Sequence, residues 1–135
     1  MEDCVFCKIV KKEIPSYKVY EDEKSLGFLD INQSSPGHTM LILKRHGNSI
    51  LDYSQEELGF LMARVSQMSM QIQKAMGNDW MSIGINHLEP TGVRHLHIHL
   101  IPRWNNDKGG ALQSLVKNPP KEPKEKIAER IRNIS

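Results

Sequence analysis

An α+β fold, a mainly antiparallel sheet with one long helix packed on it, is predicted by three features of the 135-residue chain. Short strand-like runs outnumber helical ones, the links between them are hairpin-sized, and a single long amphipathic stretch has to cover a sheet face. The length suits one domain with its own core.

Taken in order, residues 4–12, CVFCKIVKK, read as a short amphipathic helix, with Val5, Phe6, Ile9 and Val10 at three-to-four spacing, stopped by Ile14-Pro15-Ser16. YKVYED and KSLGFLD read as two strands joined near Asp22–Lys24, SSPGH as a turn, and HTMLILK (38–44) as an apolar strand. The long helix opens at Ser54-Gln-Glu-Glu57, a capping-box spacing in which hydroxyl and carboxylate satisfy free amides of the first turn. Leu58, Leu61, Met62, Val65, Met68, Ile72 and Met76 follow at helical intervals, and Gly77 suits the C-terminal stop. That stripe reads as core. WMSIGIN (80–86) is a strand, HLEPTG a loop, and VRHLHIHLI (93–101) a further strand closed by Pro102, which lacks an N–H for the ladder.

Residues 105–120, rich in Asn, Gly, Lys and Pro, read as a mobile connection to a last helical segment with Ile127, Ile131 and Ile134 on one stripe. No repeat and no second domain is visible. The expected organisation is a body over residues 1–104 and an extension over 105–135, within one domain.

Hydrophobic residues make up 39% and charged residues 25% of the chain, with a formal net charge of +2. That charge is too mild to announce a nucleic-acid binder, and no apolar run approaches the roughly 18 residues of a membrane span. The acidic start MEDCVFCKIV lacks the basic, apolar and small-residue regions of a signal peptide, so a cytoplasmic location is expected, with no membrane partner. The tail carries Lys117, Lys121, Lys124, Lys126, Arg130 and Arg132 against three glutamates, a mixed-sign pattern typical of a solvated helix face.

Both cysteines, Cys4 and Cys7, form one C-x-x-C. In a reducing compartment this spacing suggests a metal site or a redox pair, with inert thiols as the bland alternative. No strand precedes Cys4, which disfavours a thioredoxin-type site.

Three of the six histidines alternate with apolar residues in HLHIH. Strand side chains point to opposite faces in turn, so His95, His97 and His99 share one face while Leu96, Ile98 and Leu100 pack on the other. Histidine is a poor core filler because its nitrogens need partners when buried. A neutral imidazole nitrogen can attack phosphorus, and a neighbouring ring can hold phosphate oxygens or protonate a leaving group.

These residues resemble the histidine-triad (HIT) family of nucleotide hydrolases and transferases, marked by His-x-His-x-His with apolar residues between. The likeness extends through CVFCKIVKKEIPSYKVYED, LGFLDINQSSPGH, LILKRH, SIGIN and VRHLHIHLIPR, about residues 4–104. It implies two subunits sharing a continuous sheet and attack on the α-phosphorus of a nucleotide, with a purine favoured. His97 would be the nucleophile, forming a nucleotidyl-imidazole intermediate. His99 would contact phosphate, and His38 would support the triad. Asn86 matches a phosphate-site asparagine and Asp30 the acidic residue that binds ribose hydroxyls, the alternative for Asp30 being a turn residue. Phe6, Ile9, Phe28 and Ile31 match the apolar walls around the base, with plain core packing the alternative for Phe28 and Ile31.

The resemblance also extends to the zinc-containing bacterial and archaeal-like branch, where two cysteines and two histidines bind a structural zinc. By position these are Cys4, Cys7, His46 and His95. One departure is the EPTGV loop: Thr91 and Gly92 stand where the family has a glutamine and a hydroxyl that reach the phosphates. His87 and Arg94 are near enough in sequence to substitute. The resemblance therefore implies hydrolysis or transfer at a phosphoanhydride or phosphoramidate bond, as in nucleoside phosphoramidates or dinucleoside polyphosphates. The competing readings are a nucleotide-binding or signalling module with little turnover and a zinc-held interaction protein.

Overall fold

The computed structural model describes residues 3–134. Five strands, β1 (Lys18–Glu21), β2 (Ser25–Leu29), β3 (Thr39–Leu43), β4 (Trp80–Gly84) and β5 (His97–Arg103), form one sheet in the order β1-β2-β3-β5-β4. Every neighbouring pair is antiparallel, so the expected α+β class holds. Helix α1 (Val5–Val10) lies on one face and α2 (Gln55–Met76) on the other, while α3 (Lys124–Arg132) ends the chain. No helix among the described residues is long and apolar enough to cross a membrane.

The capping box at Ser54 and Glu57 forms as read: the Glu57 amide donates to the Ser54 hydroxyl and the Ser54 amide to the Glu57 carboxylate. Gly77 ends α2 in the left-handed region at φ 68°, where its missing Cβ removes the steric penalty. Leu61, Val65, Met68 and Ile72 of α2 pack on Leu41, Leu43, Leu96, Ile98 and Leu100 of the sheet side. Each such aliphatic side chain contributes about 1.5–3 kcal/mol on full burial. Met62 and Met76 depart from the expected stripe: both are exposed.

On the opposite face α1 packs over Phe28, Met40, Leu26 and Ile42 through Phe6, with Ile9 and Val10 at the margin. Register places His97 opposite Ile42, and His99 opposite both Met40 and Gly84. The triad therefore stands on the face that α1 only partly covers.

Two boundaries differ from expectation. The histidine strand begins at His97, not Val93, since the Leu96 amide is taken by the Gly47 carbonyl and His95 turns inward. It also runs through Pro102, opposite Met81. The missing N–H is tolerated there because pairing with β3 has already ended at Leu100.

Residues 103–110 are tied down rather than a free connection. The Arg103 guanidinium forks onto both Asp107 oxygens (2.6 and 3.0 Å) and donates to the Gly110 carbonyl. At Gly109 the chain passes so close that a Cβ would lie 2.5 Å from Arg103 Nη2. Helix α3 buries none of its residues, and Ile131 and Ile134 stand in solvent.

Candidate functional site

Two groups of side chains gather around the start of β5, and hydrogen bonds decide which nitrogen of each ring is free. His97 Nδ1 lies 2.7 Å from the His95 carbonyl oxygen, which can only accept, so Nδ1 carries a proton and the neutral ring has its lone pair on Nε2. The Phe6 ring meets that imidazole edge to face, centroids 5.1 Å apart, and fixes its plane. His38 is buried between loop and strand. Its Nδ1 accepts from the Ser34 amide (3.2 Å), so Nε2 is the donor and gives its proton to His99 Nδ1 at 2.9 Å. The outer nitrogen of His99 is then an N–H donor. Burial, followed by the nearby His97 and His38, lowers the His99 pKa to about 4, and burial also lowers that of His38. Both rings are therefore neutral near pH 7.

Asp30 closes this group. One carboxylate oxygen accepts from the Asn32 amide (2.8 Å), the turn role weighed above, and the other lies 3.6 Å from His38 Nε2. The turn thus occupies only half of the carboxylate.

The second group is Cys4, Cys7, His46 and His95, whose ligand atoms all lie within 4.8 Å of one another. Fully buried His95 donates from Nε2 to the Leu43 carbonyl (2.8 Å), and His46 Nε2 is held by Asn48 Oδ1 (3.0 Å). Both rings consequently aim a bare Nδ1 at the sulfurs: 3.2 Å from His46 to Cys7, and 3.5 and 3.6 Å from His95 to Cys4 and Cys7. A tetrahedron with Zn–S of about 2.3 Å and Zn–N of about 2.0–2.1 Å has S···N edges of about 3.6 Å. The donor set and spacing fit such a centre, and each histidine has the outer partner that orients a metal ligand. Burial raises the pKa of the Cys7 thiol, with Cys4 adding to it, so thiolate formation there needs a cation.

A cavity of about 120 Å³ opens beside His97 and is lined by Asn86, His87, Glu89 and Arg94 among others. Asn86 thus shares it with the expected nucleophile, as do His87 and Arg94. Thr91 and Gly92 do not line it. Leu88 adopts a left-handed φ of 58°, and Glu89 folds back over Gly92, which leaves Thr91 in solvent and Gly92 beside Cys4. Glu89 and the flanking Asn48 and Ser49 were not singled out from sequence; nothing local marks them, since the chain fold alone brings them to His97.

The apolar set divides. Phe6 (5% exposed) and Phe28 (2%) are core residues in edge-to-face contact, so Phe28 corrects towards packing. Ile9 is partly buried at the edge of that cluster, whereas Ile31, 81% exposed just past Asp30, is no part of the core.

The fold and site together are an antiparallel sheet that carries alternating, hydrogen-bonded histidines beside a cavity. The HIT domain model matches residues 11–106, and the chain belongs to the HIT family. It is 43% identical over 118 residues to an uncharacterized HIT-like protein of Borreliella burgdorferi, covering 82% of each chain. It is 37% identical to the adenylylsulfatase HINT3 of Arabidopsis thaliana over 91% of this chain and 64% of that one. Identity is likewise 37% to the adenosine 5′-monophosphoramidase HNT1 of Saccharomyces cerevisiae, over 78% and 66%. Among solved structures, SMU.412c from Streptococcus mutans superposes with a TM-score of 0.84 at 39% identity, over 98% of this chain and 85% of that one. A Zn-bound histidine triad family protein from Mycobacterium smegmatis does so at 0.72 and 35% identity, over 88% and 85%.

Proposed function

We propose that this protein hydrolyses or transfers nucleoside monophosphate groups by attack of His97 on the α-phosphorus, acting on phosphoramidate or phosphoanhydride bonds of a purine nucleotide. The observation that carries the reading is the 2.7 Å bond from His97 Nδ1–H to the His95 carbonyl, which leaves Nε2 as the ring's free nucleophile in a residue that lines the cavity. Forming a covalent intermediate divides one displacement into two easier ones. As Nε2 bonds to phosphorus, the bond to the leaving group breaks; water or another acceptor then releases His97. Asn86 and the outer N–H of His99 supply neutral donors to the phosphate oxygens, and Arg94 a cation. The Asp30 oxygen not committed to Asn32 is available to ribose hydroxyls, with Ile31, Ile9 and the edge of Phe6 beside the base.

Cys4, Cys7, His46 and His95 would hold a zinc ion as a closed structural centre, tying α1 to the strand that carries His97. The unpaired edge of β4, with Trp80 and Ile83 exposed, supports a homodimer whose sheet continues between subunits. A cytoplasmic location and a single domain with its extension complete the reading. The outward turn of Thr91 favours one competing interpretation, a nucleotide-binding module with little turnover.

Incubation with adenosine 5′-phosphoramidate distinguishes the two. The enzyme releases AMP and traps an acid-labile adenylyl-protein, both lost in His97→Ala. Nucleotide affinity without label or product in the wild type would refute the enzymatic reading.

A further inference from the structure

The connection between β2 and β3 carries Asp30 at one end and His38 at the other, and one side chain spans it. The Gln33 carboxamide donates from Nε2 to the Asp30 carbonyl (2.8 Å) and to the His38 carbonyl (2.7 Å), while its Oε1 accepts from the Gly37 amide (2.8 Å). These partners fix the carboxamide's orientation, because a carbonyl can only accept and an N–H can only donate. The His38 carbonyl also receives the Asp30 amide (2.9 Å), just past the Leu29–Thr39 pair that ends the ladder. Gln33 therefore ties the backbone of the carboxylate residue to that of the buried histidine. It also holds the peptide that enters Gly37, whose φ is 90°.

The shape of this loop reaches the rings through the next residue. The Ser34 amide points at His38 Nδ1 (3.2 Å), which obliges that nitrogen to accept and leaves the His38 proton on Nε2, 2.9 Å from His99 Nδ1. Were the Ser34 amide to turn away, the His38 proton could occupy either nitrogen. With that proton on Nδ1, His38 Nε2 becomes an acceptor and His99 Nδ1 must donate to it. The outer nitrogen of His99 is then left with a lone pair, which repels a phosphate oxygen where an N–H would bond it.

We propose that Gln33 is a positioning residue: by clamping the β2–β3 loop it keeps the Ser34 amide on His38, and so makes the outer nitrogen of His99 a donor. The kinetic part of the test rests on the nucleotide reading above, whereas the ring tautomers are independent of it.

Nitrogen NMR of the imidazole rings, at pH 7 with one equivalent of zinc, reads each tautomer in wild type, Gln33→Ala and Gln33→Glu. Gln33 is exposed, so neither substitution disturbs the core. The glutamate keeps the side chain's length and the acceptor for Gly37 but has no proton for either carbonyl, which separates those two bonds from bulk. In the wild type His38 and His99 are each protonated on Nε2. In both variants they become mixtures of tautomers, while His97, bonded to the His95 carbonyl, stays protonated on Nδ1. kcat/KM for adenosine 5′-phosphoramidate falls about tenfold in both, the scale of one or two lost hydrogen bonds. Wild-type tautomers at His38 and His99 in either variant, an equal change at His97, or mixed tautomers with unaltered kcat/KM would overturn the proposal. If the wild type leaves the phosphoramidate intact, the nucleotide reading falls and the ring spectra alone decide the role of Gln33.

Discussion

Mild acid should weaken the protein through His99 before any carboxylate responds. Folded His99 titrates at about 4 because it is half-buried beside two other imidazoles, against 6.5 for a free ring. The unfolded chain therefore binds the proton more readily. Stability is complete above pH 6.5 and declines as the pH falls through that value towards 4. At pH 5 an unfolded His99 is almost fully charged and a folded one about one-tenth charged, a difference of about 2 kcal/mol by linkage, nearer 1 with solvent screening at its exposed edge. The ion-paired Glu21 and Glu57, both held at about 2 against an ordinary 4.5, add their losses only below pH 4.5. Urea unfolding at pH 7 and pH 5, in zinc-saturated buffer, measures the loss in wild type and in His99→Asn, whose carbonyl still accepts from His38. The wild type should lose about 1–2 kcal/mol more than the variant, a midpoint difference of about 1 M urea. Identical losses would mean that His99 is not held neutral by its surroundings, and the tautomer assignment through His38 would fall with it.

Three further outcomes follow from the packing and the metal centre. Met68→Ala, at a fully buried α2 position against the sheet, should cost about 2–5 kcal/mol by denaturant unfolding. Ser54→Ala removes the α2 cap and should cost about 1 kcal/mol in the same assay. Cys7→Ser should abolish stoichiometric zinc by elemental analysis; in the wild type, zinc at a thousandfold excess over its Kd should stabilise by about 4 kcal/mol. Equal thermal midpoints for wild type with zinc and with chelator would remove the ion from the structural account.

Part of the candidate site's layout was legible in the sequence, where its signals are local. Alternation alone separated His97 and His99 from Leu96, Ile98 and Leu100, whereas it was the family resemblance that grouped His46 and His95 with the cysteines, a set whose ligand atoms the fold brings within 4.8 Å of one another. The Thr91 and Gly92 expectation did not transfer, because a left-handed Leu88 and a folded-back Glu89 reshape that loop without any residue pattern to announce it. Met62 failed as a core residue because helical periodicity gives the direction of a stripe and not its width.

The amino-acid order alone determined the α+β class, the capped α2 helix and the face on which the histidines stand, since strand alternation and end-capping depend on residues a few positions apart. Only the tertiary structure decided which nitrogen His95 and His99 leave free. The Leu43 carbonyl orients His95 across 52 residues, and His38 meets His99 across 61. It also decided that Arg103 is neutralised by Asp107. For His95 and His99 the partner within about 3 Å comes from a distant segment of the chain, whereas His97 and His46 find theirs two residues away.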